Sequence, residues 1–397
     1  MTRPFEGVRI LDFTQVFAGP LASYQLSVLG ADVIKVERQG GEDMRGTPHH
    51  ADQIAQKTAP GWIAVNAGKR NIALDLKNPA AVEIIKRLVV DSDVVMENFR
   101  PGVMDRLGIG YDDLSAINPQ LIYCCVSGFG REGPLKDEPS YDGKIQAMSG
   151  IMAVTGHEEM GPIRAGFAVC DATAGITAAF GIASALFQRT HTGLGQLVDV
   201  AMYDSALTVQ APGVADYTIA GKVHKPYGNR AISGRPTADL FPVKDGNILL
   251  AVNNEKQFQC LMRVIGREEL LDDDRFVDWP ARMRNEVALV EIINDVFAEA
   301  DADTWEQRLL QGDVPCAQIQ NIEQAVNHPQ LAHRNFMQTI EDANGSFTLA
   351  TTGFQLAHGN AELDRGYASI GEHADEVLAE AGFGAEEIAV FHADGVI

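Results

Sequence analysis

Short apolar runs alternate with longer segments of helical character through the first half of the chain. Residues 8–13 and 33–36 are apolar runs of strand length, and residues 21–29, after a Gly-Pro turn at 19–20, have helical character. Two strands joined by a helix form the βαβ unit that opens a parallel sheet. Further strands are expected at 94–96, 121–126 and 195–200, and an amphipathic helix at 79–90. The pattern up to about residue 200 predicts a doubly wound α/β fold.

A second pattern begins near residue 240, where two strands joined by an Asp-Gly turn are expected at 240–253. Helices are predicted at 255–265, 287–298 and 302–311, and the unit ends near residue 328. This mixture predicts a smaller α+β unit. Residues 213–234 show no clear period and are interpreted as a linker or an active-site loop. A run at 347–354 and a helix at 374–381 complete the chain.

Length, charge and cysteine content indicate how many domains the chain has, which partners it binds and where it is located. A chain of 397 residues predicts two domains. The net charge of -22 argues against nucleic acid and anionic membranes as partners. No run of about 20 apolar residues and no apolar leader are evident, so neither a membrane span nor a signal peptide is expected. The five cysteines form no C-x-x-C pair, which favours free thiols and a cytoplasmic location.

Metal and redox cofactors are not expected. The histidines are scattered, and the adjacent pair His49-His50 is interpreted as part of a surface loop. No G-x-G-x-x-G motif follows the first strand, which argues against a nicotinamide or flavin enzyme. Cys170 has no evident histidine partner, so a buried structural thiol is favoured over a nucleophile.

Asp171 is the leading candidate for chemistry. It lies among small, mostly apolar residues, directly before the uncharged segment 172–187, which predicts a buried helix. A carboxylate in this position either caps the helix or is a reactive group kept from bulk water. The residues around Asp171 leave both interpretations open.

A series of short motifs places the chain beside a known family. They occur at 11–20, 29–38, 68–70, 74–77, 97–102, 127–130, 141–142, 147–150, 192–196 and 371–373. In this order and at these spacings the chain resembles the family III CoA-transferases, which include formyl-CoA transferase and carnitine CoA-transferase. The resemblance implies a Rossmann-like large domain built from both chain ends, 1–205 and 335–397, with linkers at 206–224 and 327–334. It also implies a small inserted domain at 225–326 and an interlocked homodimer.

The resemblance also implies roles for individual residues. Asp171 falls on the family's catalytic aspartate. The positions that match family residues binding coenzyme A or lining the acyl site are Gln15, Val16, Ala18, Arg38, Leu74, Asn98, Phe99, Arg106 and Tyr141. Coenzyme A enters as part of the substrate, and neither a prosthetic group nor a metal is implied. Taken singly, the arginines are ordinary surface charges, Gln15 a loop cap and Tyr141 a half-buried phenol.

The implied reaction moves CoA from an acyl-CoA thioester to a free carboxylic acid. A carboxylate nucleophile suits it, because the mixed anhydride and the aspartyl-CoA thioester both keep the acyl group activated. The oxyanions need backbone donors, for which the glycine-containing loop 227–234 is the candidate.

The substrate pair stays open at this stage. Gln15 and Phe17 stand where formyl-CoA transferase has His and Gln, which argues against formate and oxalate, and Gln15 is what carnitine-type members carry. Gln15 and Tyr141 could meet a second carboxylate, so a small dicarboxylic or branched acid is expected. Transfer between two carboxylates of one molecule stays open.

Three alternative functions are retained. An α-methylacyl-CoA racemase shares the fold, but its His-Asp pair reads Tyr141-Asp142 here, and a phenol is a poor base at neutral pH. An acyl-CoA hydrolase requires water at the aspartyl intermediate. A non-catalytic CoA-binding protein could dispense with Asp171.

Overall fold

A six-stranded parallel sheet forms the centre of the larger part of the molecule. The computed structural model describes residues 2–46 and 58–397. The strands of the sheet are β1 Arg9–Asp12, β2 Asp32–Glu37, β3 Arg70–Ala73, β4 Val94–Glu97, β5 Ile122–Ser127 and β6 Gln196–Ala201. They lie in the order β3-β2-β1-β4-β5-β6. The strand order reverses between β1 and β4, and open α/β sheets bind ligands in the crevice at the carboxyl ends of such strands.

Helices connect these strands and continue through the chain. They are α1 Ala18–Val28, α2 Pro60–Ile63, α3 Pro79–Val89, α4 Val103–Arg106, α5 Tyr111–Ile117, α6 Asp142–Met148, α7 Ile151–Val154, α8 Val169–Thr192, α9 Met202–Thr208, α10 Ala211–Ala220, α11 Glu255–Val264, α12 Trp279–Arg284, α13 Glu286–Phe297, α14 Ala302–Gln311, α15 Ile322–Val326, α16 Pro329–His333, α17 Ala374–Glu380 and α18 Ala385–Ala393. Short 3₁₀ turns occupy Asp43–Gly46, Glu158–Met160 and Glu268–Leu271.

Each face of the parallel sheet carries its own core, because successive strand residues point to opposite faces. In β4, Val94 and Met96 pack beneath α1 and α8, whereas Val95 joins the cluster that contains α3 and the last two helices, α17 and α18. The strands are therefore buried on both sides. This explains why they appear in the sequence as continuous apolar runs rather than as alternating ones.

The contacts divide the chain into two compact units. The larger unit comprises 1–151, 165–222 and 329–397, and the smaller comprises 152–164 and 223–328. The smaller unit contains the antiparallel strands β7 Leu240–Val243, β8 Gly246–Leu250 and β9 Cys316–Gln318. Its separate core is built around Phe258, Phe297 and Trp305.

Several local expectations require correction. Residues 213–220 are not a loop but part of α10, and helices also occupy much of the predicted linkers 206–224 and 327–334. The Gly-Pro pair 19–20 lies inside the first turn of α1, where a proline costs no internal helix hydrogen bond. Residues 347–350 of the run at 347–354 lie in the second strand of a hairpin, β10 Met337–Asp342 and β11 Gly345–Ala350, whose first strand the pattern did not predict.

Helix α8 has the length and apolar composition of a membrane-crossing helix, the only such helix in the described ranges 2–46 and 58–397. Whether the chain has a membrane span is not decided by length and composition, so the expectation of none stays a prediction. Such a helix is weak evidence for a membrane span, because core helices of soluble proteins share these properties. One face of α8 packs into the core through Ala174, Ala178 and Ile182.

Candidate active site

A pocket opens at the carboxyl ends of β1, β4 and β5, where the strand order reverses. It lies entirely within the larger unit. Its walls come from the loops that follow these three strands, from the segment 136–141, and from the helices α1, α8 and α9. The lining residues are Gln15, Val16, Phe17, Ala18, Asn98, Phe99, Arg100, Pro101, Val126, Ser127, Gly128, Lys136, Glu138, Pro139, Ser140, Tyr141, Asp171 and Met202.

Asp171 lies in the first turn of α8 but does not cap it. The N-cap residue is Ala168, which provides no side-chain cap. The carboxylate of Asp142 takes that role, because its Oδ1 accepts the backbone N–H of Cys170 at 2.8 Å and that of Asp171 at 3.4 Å. Gln146 Nε2 donates to the other oxygen of Asp142 at 2.6 Å.

The carboxylate of Asp171 is thus left facing the pocket. Within the described residues 2–46 and 58–397, no hydrogen bond or ion pair engages its oxygens. Burial, and secondly the charge of Asp142, raise the pKa of Asp171 from 3.8 to about 6. A helix N-terminus favours the ionised carboxylate, so burial and Asp142 prevail over the helix dipole here. The group is ionised at neutral pH, yet it is more basic than an ordinary aspartate.

The loop after β1 is fixed to the loop after β4. The side-chain amide of Asn98 accepts the backbone N–H of Gln15 at 2.7 Å and donates to the backbone carbonyl of Gln15 at 2.7 Å. Both polar groups of the Asn98 side chain are therefore occupied by main chain. Asn98 therefore positions Gln15 at the pocket.

Tyr141 stands at the pocket, and it is not a half-buried phenol. Its side chain is 76% exposed, and it is the N-cap residue of α6. The next residue, Asp142, is only 6% exposed. The Tyr-Asp pair therefore places one side chain at the pocket and the other beneath the nucleophile candidate.

Seven of the residues assigned through the resemblance lie together at this pocket, and three do not. Those at the pocket are Gln15, Val16, Ala18, Asn98, Phe99, Tyr141 and Asp171. Leu74 is buried in the core beside α3. Arg38 follows β2, where its exposed guanidinium pairs with Asp43. Arg106 is exposed at the end of α4. None of these three lines the pocket in the described structure.

Sequence reasoning missed some charged residues at the pocket. Arg100, Lys136 and Glu138 all line it. Arg100 lies in the motif at 97–102, from which the resemblance assigns only Asn98 and Phe99, and Lys136 lies in a segment without hydrophobic periodicity. Arg70, in contrast, is buried and structural, because Asp32, Glu376 and Glu380 surround its guanidinium.

The remaining sequence predictions concern other parts of the chain. The loop 227–234 belongs to the smaller unit. His49-His50 lies outside the described residues. Across 2–46 and 58–397, no three His, Cys, Asp or Glu side chains are grouped as metal ligands. The five cysteines are free thiols, and Cys170 is fully buried against the sheet.

A parallel sheet of this order, with an unbonded carboxylate at the crevice where it reverses, is the architecture of an α/β enzyme with its active site at the strand ends. The chain belongs to CoA-transferase family III, whose sequence profile matches residues 5–374. The resemblance drawn from the short motifs is thereby confirmed, and the protein is a family III CoA-transferase.

Proteins of known activity or structure are similar to this chain over most of its length. The succinyl-CoA:glutarate CoA-transferase of Homo sapiens is 32% identical over 382 residues, covering 95% of this chain and 86% of its own. The acetyl-CoA:oxalate CoA-transferase of Acetobacter aceti is 39% identical over 337 residues, covering 84% and 85%. The crystal structure of a CAIB/BAIF family protein from Brucella suis superposes with a TM-score of 0.86 at 32% identity, covering 96% of this chain and 100% of that one.

Proposed function

We propose that this enzyme transfers CoA from succinyl-CoA or acetyl-CoA to a small dicarboxylic acid, with Asp171 as the covalent nucleophile. The observation that carries the proposal is the unbonded carboxylate of Asp171 in the pocket at the ends of β1 and β4. The names of the two relatives pair these donors with glutarate and oxalate. Because the name of the second relative includes oxalate, oxalate belongs among the acceptors to be tested despite the argument from Gln15 and Phe17.

The proposed reaction consists of four successive acyl transfers. A carboxylate oxygen of Asp171 attacks the thioester carbonyl, and CoA thiolate leaves a mixed anhydride behind. The thiolate then attacks the Asp171 carbonyl carbon, so the donor acid departs and an aspartyl-CoA thioester forms. The acceptor carboxylate expels CoA thiolate again, and the thiolate finally attacks the acceptor's acyl carbon. Asp171 is thereby regenerated, and no net proton is exchanged.

The surroundings of Asp171 suit this sequence. Ala18, Phe99 and Met202 lend apolar surface to the pocket, which limits hydrolysis of the anhydride. Arg100 and Lys136 supply local positive charge in a chain of net charge -22. Such charge favours a phosphate or a second carboxylate of the substrate.

Trapping the covalent intermediate tests the proposal. The enzyme is incubated with succinyl-CoA and no acceptor, then treated with hydroxylamine, and its peptides are analysed by mass spectrometry. A hydroxamate on Asp171 is expected, together with loss of all transfer activity in Asp171→Asn. Asp204→Asn is the matched control, because Asp204 occupies the same position in the first turn of α9 after an alanine N-cap.

Other outcomes identify the alternatives. Succinyl-CoA or acetyl-CoA is mixed with oxalate, glutarate and mesaconate, and new acyl-CoA species are followed by mass spectrometry. Release of free CoA alone would assign a hydrolase, and deuterium exchange at the α-carbon alone would assign a racemase. Unchanged transfer by Asp171→Asn would refute the covalent mechanism.

We also infer that the enzyme works as a homodimer. Helix α8 exposes Ile176, Phe180 and Phe187, which are 58%, 73% and 69% exposed. Their spacing of four and seven residues puts them along one stripe of the helix. An exposed apolar stripe of this kind marks an interaction surface, and the family resemblance points to a second copy of the chain as the partner.

A further inference from the structure

Val16, in the pocket wall, has a backbone conformation that valine rarely adopts. Its φ is 67°, one of three positive φ values among the described non-glycine residues. The left-handed region is unfavourable for a β-branched side chain, and such strain persists only where the surroundings impose it. The Val16 side chain is 46% exposed and faces the pocket, between Gln15 and the start of α1.

The carboxylate of Glu42 bonds the backbone of this residue. Its Oε2 accepts the backbone N–H of Val16 at 2.8 Å. Its Oε1 pairs with Lys35 Nζ at 3.0 Å and accepts the indole N–H of Trp62 at 2.7 Å. Glu42 is 5% exposed and Lys35 1% exposed, so solvent hardly competes for these bonds.

The same buried charges hold the residue that begins the loop. Lys35 Nζ donates to the backbone carbonyl of Thr14 at 2.8 Å, and Asp12 accepts the backbone N–H of Thr14 at 2.9 Å. Burial alone would lower the pKa of Lys35, but the carboxylates of Glu42, Asp12 and Glu37 raise it above its ordinary value. Lys35 therefore stays charged, and the loop has an ionic anchor on each side of Gln15.

We propose that Glu42 is a positioning residue of the transferase, which imposes the left-handed conformation of Val16 and thereby presents Gln15 and Val16 to the acyl group at Asp171. This rests on the proposed function of the pocket. A buried ion pair is weak evidence for stability as such, since an apolar pair of the same size often stabilises as well. In the Glu42–Lys35 pair, however, Glu42 also accepts the backbone N–H of the strained Val16 at the pocket, and an apolar pair could not make that hydrogen bond.

Replacing Glu42 by glutamine removes the charge and keeps the shape. All three groups around the carboxylate are donors, namely Val16 N–H, Lys35 Nζ and Trp62 Nε1. The amide NH₂ of glutamine therefore faces a donor in either orientation. We expect Glu42→Gln to lower kcat/KM about 10-fold or more, because hydrogen bonds to a charged group are lost.

A double-mutant cycle separates positioning from a general loss of folding. Glycine adopts a φ of +67° without strain, so residue 16 needs no anchor once it is glycine. Val16→Gly alone provides the baseline for the lost side chain. In that background Glu42→Gln is expected to cost less than about 3-fold in kcat/KM, normalised to folded protein by circular dichroism. Equal losses in both backgrounds would overturn the proposal.

Glu37→Gln is the matched control. Glu37 is also 5% exposed, and it is bonded by the donors of Arg45, Asn71 and the backbone of Glu42, but it does not touch the loop 14–18. Because Glu37 also bonds the backbone N–H of Glu42, its effect is measured in the Val16→Gly background as well. A loss of kcat/KM that equals that of Glu42→Gln and is not reduced in this background would assign the effect to buried charge in general and would refute positioning. Hydroxamate formation on Asp171 tests the proposed function separately, because it is read at another residue.

A crystal structure of Glu42→Gln completes the test. The proposal expects Val16 to leave the left-handed region or to become disordered, with the sheet unchanged. A Val16 conformation identical to that of the parent protein would overturn it, even if the activity were reduced.

Discussion

At the residue scale, the acidity of Asp171 connects its environment to its chemistry. Its carboxyl has a pKa of about 6, because it is half-buried and faces the charge of Asp142. Only the ionised form attacks a thioester, so kcat/KM should rise with pH through about 6 and level off above 7.

Asp142→Asn should move this acidic limb to lower pH by about one unit or less, because asparagine removes the charge but still accepts the N–H of Cys170. The pH dependence of kcat/KM measures the shift, and Asp204→Asn serves as the variant without effect. If the limb stays in place in Asp142→Asn, burial alone sets the pKa of Asp171.

The same residue should reduce the stability of the fold. The folded pKa of Asp171 is raised from 3.8 to about 6, so the native state binds more protons than the unfolded state between these values. Its contribution to stability therefore falls as the pH rises from about 4 to 6. Asp171→Asn should therefore be more stable than the parent at pH 8. The full pKa shift corresponds to about 3 kcal/mol, and the expected difference is smaller because solvent reaches the group.

Urea unfolding at pH 4 and pH 8 measures this difference. The two proteins should differ less at pH 4, where the carboxyl of the parent protein is largely protonated. A parent protein that is the more stable of the two at pH 8 would contradict the raised pKa.

At the scale of elements, a glycine sets the distance between α8 and α1. A Cβ on Gly175 would lie 2.6 Å from the backbone oxygen of Ala18 and 3.1 Å from the Leu21 side chain. In an exposed helix, glycine to alanine gains about 1 kcal/mol. Here the clash is with backbone, so overpacking of about 1–3 kcal/mol should exceed that gain.

Gly175→Ala should therefore lower the free energy of unfolding, and also kcat/KM, because Ala18 forms part of the pocket wall. Gly181→Ala in the same helix is the control, since its Cβ would meet only a methyl group of Val198. Thermal unfolding and steady-state kinetics of both variants provide the comparison. Equal stability and equal kcat/KM in the two variants would show that the close contact between Gly175 and Ala18 does not affect the fold or the pocket.

At the scale of the whole molecule, the exposed stripe of α8 should be covered by a second copy of the chain. Phe180→Glu should then give a particle of half the parental mass in light scattering, because a buried unpaired charge is costly at an interface. Val90, which is 56% exposed and lies beyond α3, provides the control Val90→Glu. A parent protein that is monomeric and active would exclude the dimer.

Much of the fold was predictable because parallel strands are buried on both faces. Continuous apolar runs such as those of β4 and β5 are visible in the sequence without knowledge of their partners. The hairpin β10–β11 was half missed, because its strands are mostly exposed and carry polar residues. Helix α10 was missed because it contains no fully buried residue, so its sequence has no apolar stripe.

The sequence by itself determined the family, the alternation that builds the parallel sheet, and Asp171 as the leading candidate, since each depends on residue order along the chain. The tertiary structure decided which groups meet. It gave helix capping to Asp142 rather than Asp171, assigned both polar groups of Asn98 to the main chain of Gln15, and separated Leu74 from the pocket. It also brought Glu42 to the strained Val16. These contacts join residues far apart in sequence, so no local pattern encodes them.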